Sequence, residues 1–273
     1  MGMLSEQAST HAECCGGNAG VPLTDVVCLM GYGDGLPAPL IYRKGWALLG
    51  YLAIESNRMH SRAALAALFW PTLGETSALT NLRQVLSNLN RYCLQQFGPD
   101  VLCVERGSVG LIRAERLLFD VDLLQHAPCG AVHLLSAQRI FLDGMEDIAD
   151  LEFQAWLQTA RQRLEGQLVG AVERCCDHMI EHARWESAIS LASALTHRDP
   201  WNEAHAQRVM RAHAGNGSCV GAMSAYQRLE QFLRHDLGLD PCHETRRLLQ
   251  QISALGAQFL PNSQSVAPSL AMA

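Results

Sequence analysis

A chain of 273 residues, 48% hydrophobic and 18% charged, is long enough for two domains that each bury a core, which excludes a wholly disordered protein. Its net charge of −6 excludes a protein that coats nucleic acid over its whole surface, and no run of eighteen apolar residues offers a membrane span. Charge is unevenly placed, however. Residues 40–120 hold nine Arg or Lys against six acids, a balance of +3, whereas residues 121–273 hold twelve Arg against seventeen acids, a balance of −5. The first half thus offers an anion-facing surface and the second a partner-facing or solvated one. Twenty of the 21 basic residues are Arg, Lys44 being the exception; this suits bidentate phosphate contacts and follows equally from a GC-rich coding sequence.

The ten cysteines show neither a disulfide framework nor metal spacing. Cys14-Cys15 and Cys175-Cys176 are adjacent pairs, and Cys28, Cys93 and Cys103 sit among apolar neighbours as buried small hydrophobes. With no apolar signal segment at the start, a reducing cytoplasm is the expected location. An oxidant-sensing role for Cys175-Cys176 or Cys219 is the minor alternative, since reactivity needs a lowered pKa.

Residues 1–22 are small, polar and Gly-rich and are expected to be a disordered leader. Thr24–Met30 and Ala38–Arg43 have strand composition, separated by Gly33-Asp34-Gly35. A helix follows over Lys44–Ile54, with Trp46, Leu48, Leu49, Tyr51 and Leu52 on its apolar side. Ser61 is placed to cap a second helix, Arg62–Trp70, which Pro71 stops.

The third helix, over 77–95, is the most informative element. Leu79, Leu82, Val85, Leu86, Leu89 and Cys93 recur at three and four and define a buried stripe. Arg83, Gln84, Ser87, Asn88, Asn90 and Arg91 remain outward, with no acid between Glu75 and Asp100. Solvated faces usually mix both signs. A face of Arg, Gln, Ser and Asn suits a helix in a DNA major groove, where Arg reads guanine and Asn or Gln adenine; an ordinary polar face is the plain alternative. After Gly98-Pro99, two short apolar segments within 101–113, joined by Arg106-Gly107-Ser108, make a hairpin with a basic tip. Directly after a three-helix unit, such a hairpin reads as a wing.

From Asp120 onward the pattern is helical, with a loop and short helix around His133–Gln138 and one or two long helices over Asp150–His182. An internal repeat follows: WESAISLASAL from Trp185 aligns with CVGAMSAYQRL from Cys219, pairing Ala188 with Ala222 and Leu195 with Leu229 at a period of 34. This is the period of tetratricopeptide helix pairs, in which small residues let helices pack closely. The expected helices are Gln167–His182, Arg184–Thr196, Trp201–His213, Val220–Asp236 and His243–Ile252. The fold class is therefore an α+β winged helix-turn-helix N-terminal domain followed by an all-α tetratricopeptide-like domain. Its boundaries fall at 1–22 (leader), 23–118 (winged helix), 119–255 (helical domain) and 256–273 (disordered tail).

No phosphate-cradling Gly loop occurs, and no Ser or Cys has a recognisable base partner, so no catalytic residue and no cofactor is expected. His178, Glu181 and His182 spell H-x-x-E-H, formally an inverted zincin pattern. Lacking an evident third ligand, the pair is read as a solvated or partly buried one, and no metal is expected.

With these elements located, the chain resembles the bacterial transcriptional activator domain family, of the antibiotic-regulatory-protein type. The resemblance rests on RKGWALLGYLAI (43–54), SRAALAALFWP (61–71), TNLRQVLSNLNRY (80–92), FDVDLL (119–124), and the stretch from DPWNEAHAQRVMRAHA to AYQRLEQFLRHDLGLDPCHETRRL (199–248). It implies a sequence-specific, non-enzymatic regulator, an activator that binds direct repeats in double-stranded promoter DNA as a homodimer and contacts RNA polymerase, with no membrane partner. Carried over by position, Asn81, Arg83, Gln84, Ser87, Asn88 and Arg91 fall on the recognition helix. Arg106, Ser108 and Arg113 fall on or beside the wing, and Arg43, Ser61 and Arg62, at helix starts, are phosphate contacts. The competing reading is a protein-interaction adaptor in which a degenerate winged helix packs on a partner and the repeat domain binds a peptide.

Overall fold

A computed structural model describes Val27, residues 29–30, 43–112, 119–122, Leu124 and 140–259. The chain divides into two compact units, Met1–Val172 and Glu173–Ala273.

The first unit holds helices α1 (Arg43–Ile54), α2 (Arg62–Phe69) and α3 (Glu75–Phe97) and a small antiparallel sheet. Its strands are β1 (His60–Ser61), β2 (Leu102–Val104) and β3 (Ser108–Leu111), in the order β1-β3-β2. Val109 pairs with both His60 and Val104, and Ser61 faces Ser108. The central strand β3 is the most buried: Val109 and Leu111 are fully buried, and a side chain at Gly110 would meet the Arg58 carbonyl at 2.6 Å. α1 is buried almost all round, from Gly45 to Gly50 and at Leu52 and Ala53, which is why it reads as apolar rather than amphipathic. Lys44 donates to the Phe69 carbonyl at 2.6 Å and lies over the Trp70 ring at 4.9 Å. The chain's single lysine thus closes the C-terminal end of α2.

The expected boundary at 118/119 is not where the compact units part. Residues after the hairpin are stitched into the first unit by aromatic packing. Phe119 meets Phe97 at 5.4 Å, Phe153 meets Phe69 at 5.0 Å, and Trp156 meets Tyr51 at 4.7 Å while donating to Glu55. The expected strand pair over 24–30 and 38–43 lies mostly outside the described residues. Val27 and Met30 make single bridges to Phe119 and Phe141, and Arg43 already belongs to α1; residues 31–42 lie outside the described set. The buried Asp120 carboxylate accepts the backbone N–H groups of Leu29 (2.9 Å), Met30 (2.8 Å) and Val121 (2.9 Å).

α4 (Leu151–Glu181) is one continuous helix that runs across the division. The second unit continues with α5 (Trp185–Arg198), α6 (Glu203–Gly215), α7 (Cys219–Phe232) and α8 (His243–Phe259). α5 and α7 begin and end 34 residues apart (185 and 219; 198 and 232), as the repeat requires. Ala188 and Ala222 are fully buried, as is Leu195, with Leu229 nearly so. Close approach is visible at Gly215, where an added Cβ would lie 2.5 Å from the Trp185 ring. A π-helical turn, Leu233–Leu237, extends α7 and closes at Gly238 (φ 67°), with the Leu239 amide bonded to the Leu233 carbonyl as in a Schellman end. Arg208 binds Asp177 through two nitrogens (2.8 and 2.9 Å) and Glu173 at 3.0 Å, tying α6 to the last turns of α4. α8 runs to Phe259, past the expected end at Ile252 and the expected tail start at 256. The expected leader, the short helix near His133–Gln138 and residues 260–273 lie outside the described set.

Asp120→Asn replaces one of the accepting oxygens with a donor and leaves a buried N–H unpaired. It should lower stability by about 1 to 3 kcal/mol, measured by urea unfolding; an unchanged midpoint contradicts the role given to this carboxylate.

Candidate nucleic-acid interface

α3 buries Ala78, Leu82, Val85, Leu86, Leu89, Tyr92 and Cys93 along one arc. Ala78 and Tyr92 extend the expected stripe, while Leu79 is only half-buried. This arc fixes what points away from the core. Arg83, Gln84, Ser87, Asn90 and Arg91 are exposed, whereas Asn81 and Asn88 are half-buried.

The exposed residues are not equivalent. At about 100° per residue, Arg83, Ser87 and Asn90 (i, i+4, i+7) share one side of α3, and Gln84 and Arg91 share the crest. Asn88 lies about 140° and Asn81 about 160° around the helix from Arg83. The structure thus brings Arg83, Gln84, Ser87 and Arg91 onto one continuous face, with Asn88 and Asn81 farther around the helix beyond Gln84.

Arg62, Arg83, Leu86, Ser87, Asn90 and Val104 line a shallow groove where the start of α2, the side of α3 and the hairpin meet. No acid lines it. Asn90 was read as outward in the sequence but left out of the site; its spacing of seven from Arg83 was the available signal. The Arg62 Nε is buried without a hydrogen-bond partner. A buried guanidinium nitrogen left in this way is a donor awaiting an acceptor.

Helix and hairpin are joined by backbone bonds. The Arg62 amide donates to the Gly107 carbonyl at 3.0 Å, and Ser61 pairs with Ser108 in the sheet. The first amide of α2 is thus spoken for, and the Ser61 hydroxyl makes no capping bond, so the expected anion seat at this helix start reduces to the Arg62 side chain and the exposed Ser61 hydroxyl. At the hairpin tip Arg106 is exposed, beside Glu105. Ser108 donates to the Glu105 carboxylate at 2.9 Å, so the tip is of mixed sign rather than purely basic, and this hydroxyl is engaged.

Arg43 is also engaged. Its guanidinium bonds both oxygens of Asp147 (2.6 and 3.2 Å) and the Gly144 carbonyl, and this bond holds the Asp147 carboxyl below the usual carboxylate range. Arg43, an expected phosphate contact, thus forms an exposed clasp between α1 and the chain ahead of α4. Arg113 lies outside the described residues.

The thiols offer little to a redox reading. Burial pushes the Cys93 thiol up to about 12 and the Cys176 thiol up to about 11, and Cys175 is likewise buried. One group of potential metal ligands is present among the described residues, His178, Glu181 and His182, in the second unit.

Comparison with known proteins agrees with this architecture. The bacterial transcriptional activator domain matches residues 121–253. The regulatory protein AfsR of Streptomyces griseus is 26% identical over 232 residues, which are 81% of this chain and 23% of AfsR; the chain thus spans less than a quarter of that relative. Mycobacterium tuberculosis EmbR, solved in complex with a low-affinity phosphopeptide, superposes with a TM-score of 0.60 at 23% identity, covering 84% of this chain and 65% of EmbR, a likeness of fold. The fold is mostly helical with a small three-stranded sheet, similar to that of EmbR. The chain is thus similar to the bacterial transcriptional activator domain family over residues 121–253. No described helix is long and apolar enough to cross a membrane.

Cys93 and Cys176 should resist iodoacetamide at about pH 8 in the folded protein and react only on unfolding, because the thiol and not the thiolate prevails. Mass spectrometry of labelled peptides checks this; prompt native labelling of Cys176 contradicts it.

Proposed function

We propose that this protein is a cytoplasmic, sequence-specific DNA-binding transcription regulator and not an enzyme. Residues 43–112 act as a winged helix-turn-helix, α3 enters the major groove, and the 101–113 hairpin is the wing. The observation that carries the reading is the groove lined by Arg62, Arg83, Ser87 and Asn90, in which cationic and amide groups converge without an acid. Arg83, Gln84 and Arg91 are the candidates for base edges, Arg by bidentate donation to guanine and Gln to adenine. Arg62 and Arg106 are the candidates for phosphates, which position the protein without reading sequence.

The second unit, tetratricopeptide-like in its 34-residue spacing, supplies the partner surface. Likeness to that family makes RNA polymerase the proposed partner, activation the proposed outcome and a homodimer on direct repeats the proposed assembly. The adaptor reading draws on exposed apolar residues of that unit, with Val220 at 76% and Leu239 at 57% exposed. Both readings give this unit a protein partner; only the regulator needs DNA.

Arg83→Ala should cost about 1 to 3 kcal/mol of specific binding and relax preference at one base pair, as loss of a bidentate contact does. Arg106→Ala should weaken binding alike on all sequences. Selection of duplexes from a random pool, followed by anisotropy with both variants, checks the distinction; equal and small effects of the two contradict the assigned geometry.

A further inference from the structure

We infer that His178, Glu181 and His182 form a binding site for a divalent transition metal, with Zn2+ as the representative ion, at the C-terminal end of α4. The three residues stand at i, i+3 and i+4, the spacing that puts side chains on one helix face. One candidate ligand atom from each lies within 4.8 Å of the other two. The two imidazole rings are 4.0 Å apart between centroids and tilted by 37°.

The tautomer of His182 is set by its surroundings. Its Nδ1 lies 2.9 Å from the His178 carbonyl oxygen. A carbonyl only accepts, so Nδ1 carries the proton and the neutral ring holds its lone pair on Nε2. A ligand histidine whose other nitrogen donates to a backbone carbonyl is the usual outer-shell arrangement of metal-bound imidazole. The place in the fold also favours a cation, because the last carbonyls of α4 present the negative end of the helix dipole.

The donor set selects the ion. Two imidazoles and one carboxylate suit Zn2+ and its neighbours and not Ca2+ or Mg2+, which demand oxygen. Donors about 2.1 Å from a tetrahedral metal are roughly 3.4 Å apart, so closure needs a movement of about 1 Å, within reach of the exposed Glu181 side chain. A fourth position is left to water. Because Glu181 is a ligand here, the H-x-x-E-H run has no base, and the site holds metal without hydrolytic chemistry. The third donor that seemed missing from the sequence is the residue between the two histidines.

The test is titration of the reduced full chain with Co2+, followed by visible absorption, with Zn2+ competition by calorimetry. One ion per chain should bind with ligand-field bands that lack thiolate charge transfer. His178→Gln and His182→Gln should each lower affinity at least about 10-fold, the least seen even for outer-shell partners. Glu181→Gln should weaken binding in the same direction, and far-UV circular dichroism should stay unchanged in all three. Absence of binding overturns the inference, as does a thiolate spectrum, or affinity retained in the double variant H178Q/H182Q.

Discussion

The attachment of the hairpin to the start of α2 is the constraint on which the candidate site depends. Two residues of β1, His60 and Ser61, pair with Val109 and Ser108, and the Arg62 amide donates to Gly107. These bonds, with that from the Asn57 amide to the Leu111 carbonyl at 2.8 Å, hold the hairpin where Arg62, Arg83 and Val104 share a groove. A two-stranded hairpin is marginal alone, so the third strand, short as it is, gives the hairpin its fixed direction. The close approach of the Arg58 carbonyl to Gly110 belongs to the same joint and leaves no room there for a side chain.

Charge in this unit is spent on both construction and presentation. Lys44 closes α2, Arg43 clasps Asp147, and Arg161 donates to the Phe141 and Leu142 carbonyls at 2.8 Å. Arg58 pairs with Glu55 at 2.6 Å. Such exposed pairs contribute little each, but they remove cations from any surface count. Of the described basic residues over 40–120, Lys44, Arg62, Arg83, Arg91 and Arg106 form no ion pair with a described acid, and with Lys44 held at the end of α2 four are left. A domain balance of +3 thus says less than the location of these four, clustered around α3 and the hairpin.

Much of the fold was legible because it rests on periodic burial. The stripe on α3, the apolar segments of the hairpin and the 34-residue spacing of α5 and α7 each leave a direct trace in residue order, and small buried residues such as Ala188 and Ala222 mark the helix contacts. What was not legible depends on single long-range bonds. That Asp120 takes the amides of Leu29 and Met30 leaves no periodic mark. The packing of Phe119, Phe153 and Trp156 on α1, α2 and α3 is likewise non-local and leaves no local change in composition. At the site, the order of residues identified the outward face of α3 but not its sides. Asn81 and Asn88 share their residue type with Asn90 and differ only in angle from the groove. Arg43, Ser61 and Ser108 looked available because their partners, Asp147, the β3 strand and Glu105, are either far in sequence or across a turn.

The most direct test of the account is the salt dependence of binding between the purified protein and a duplex from its own upstream region. Release of counterions by several Arg–phosphate contacts makes the logarithm of affinity fall linearly with the logarithm of salt, by about 0.9 per phosphate neutralised. The account predicts a steep line whose slope is reduced by about 1 in Arg62→Ala. Binding that is absent at low salt, or present and indifferent to salt, would contradict it.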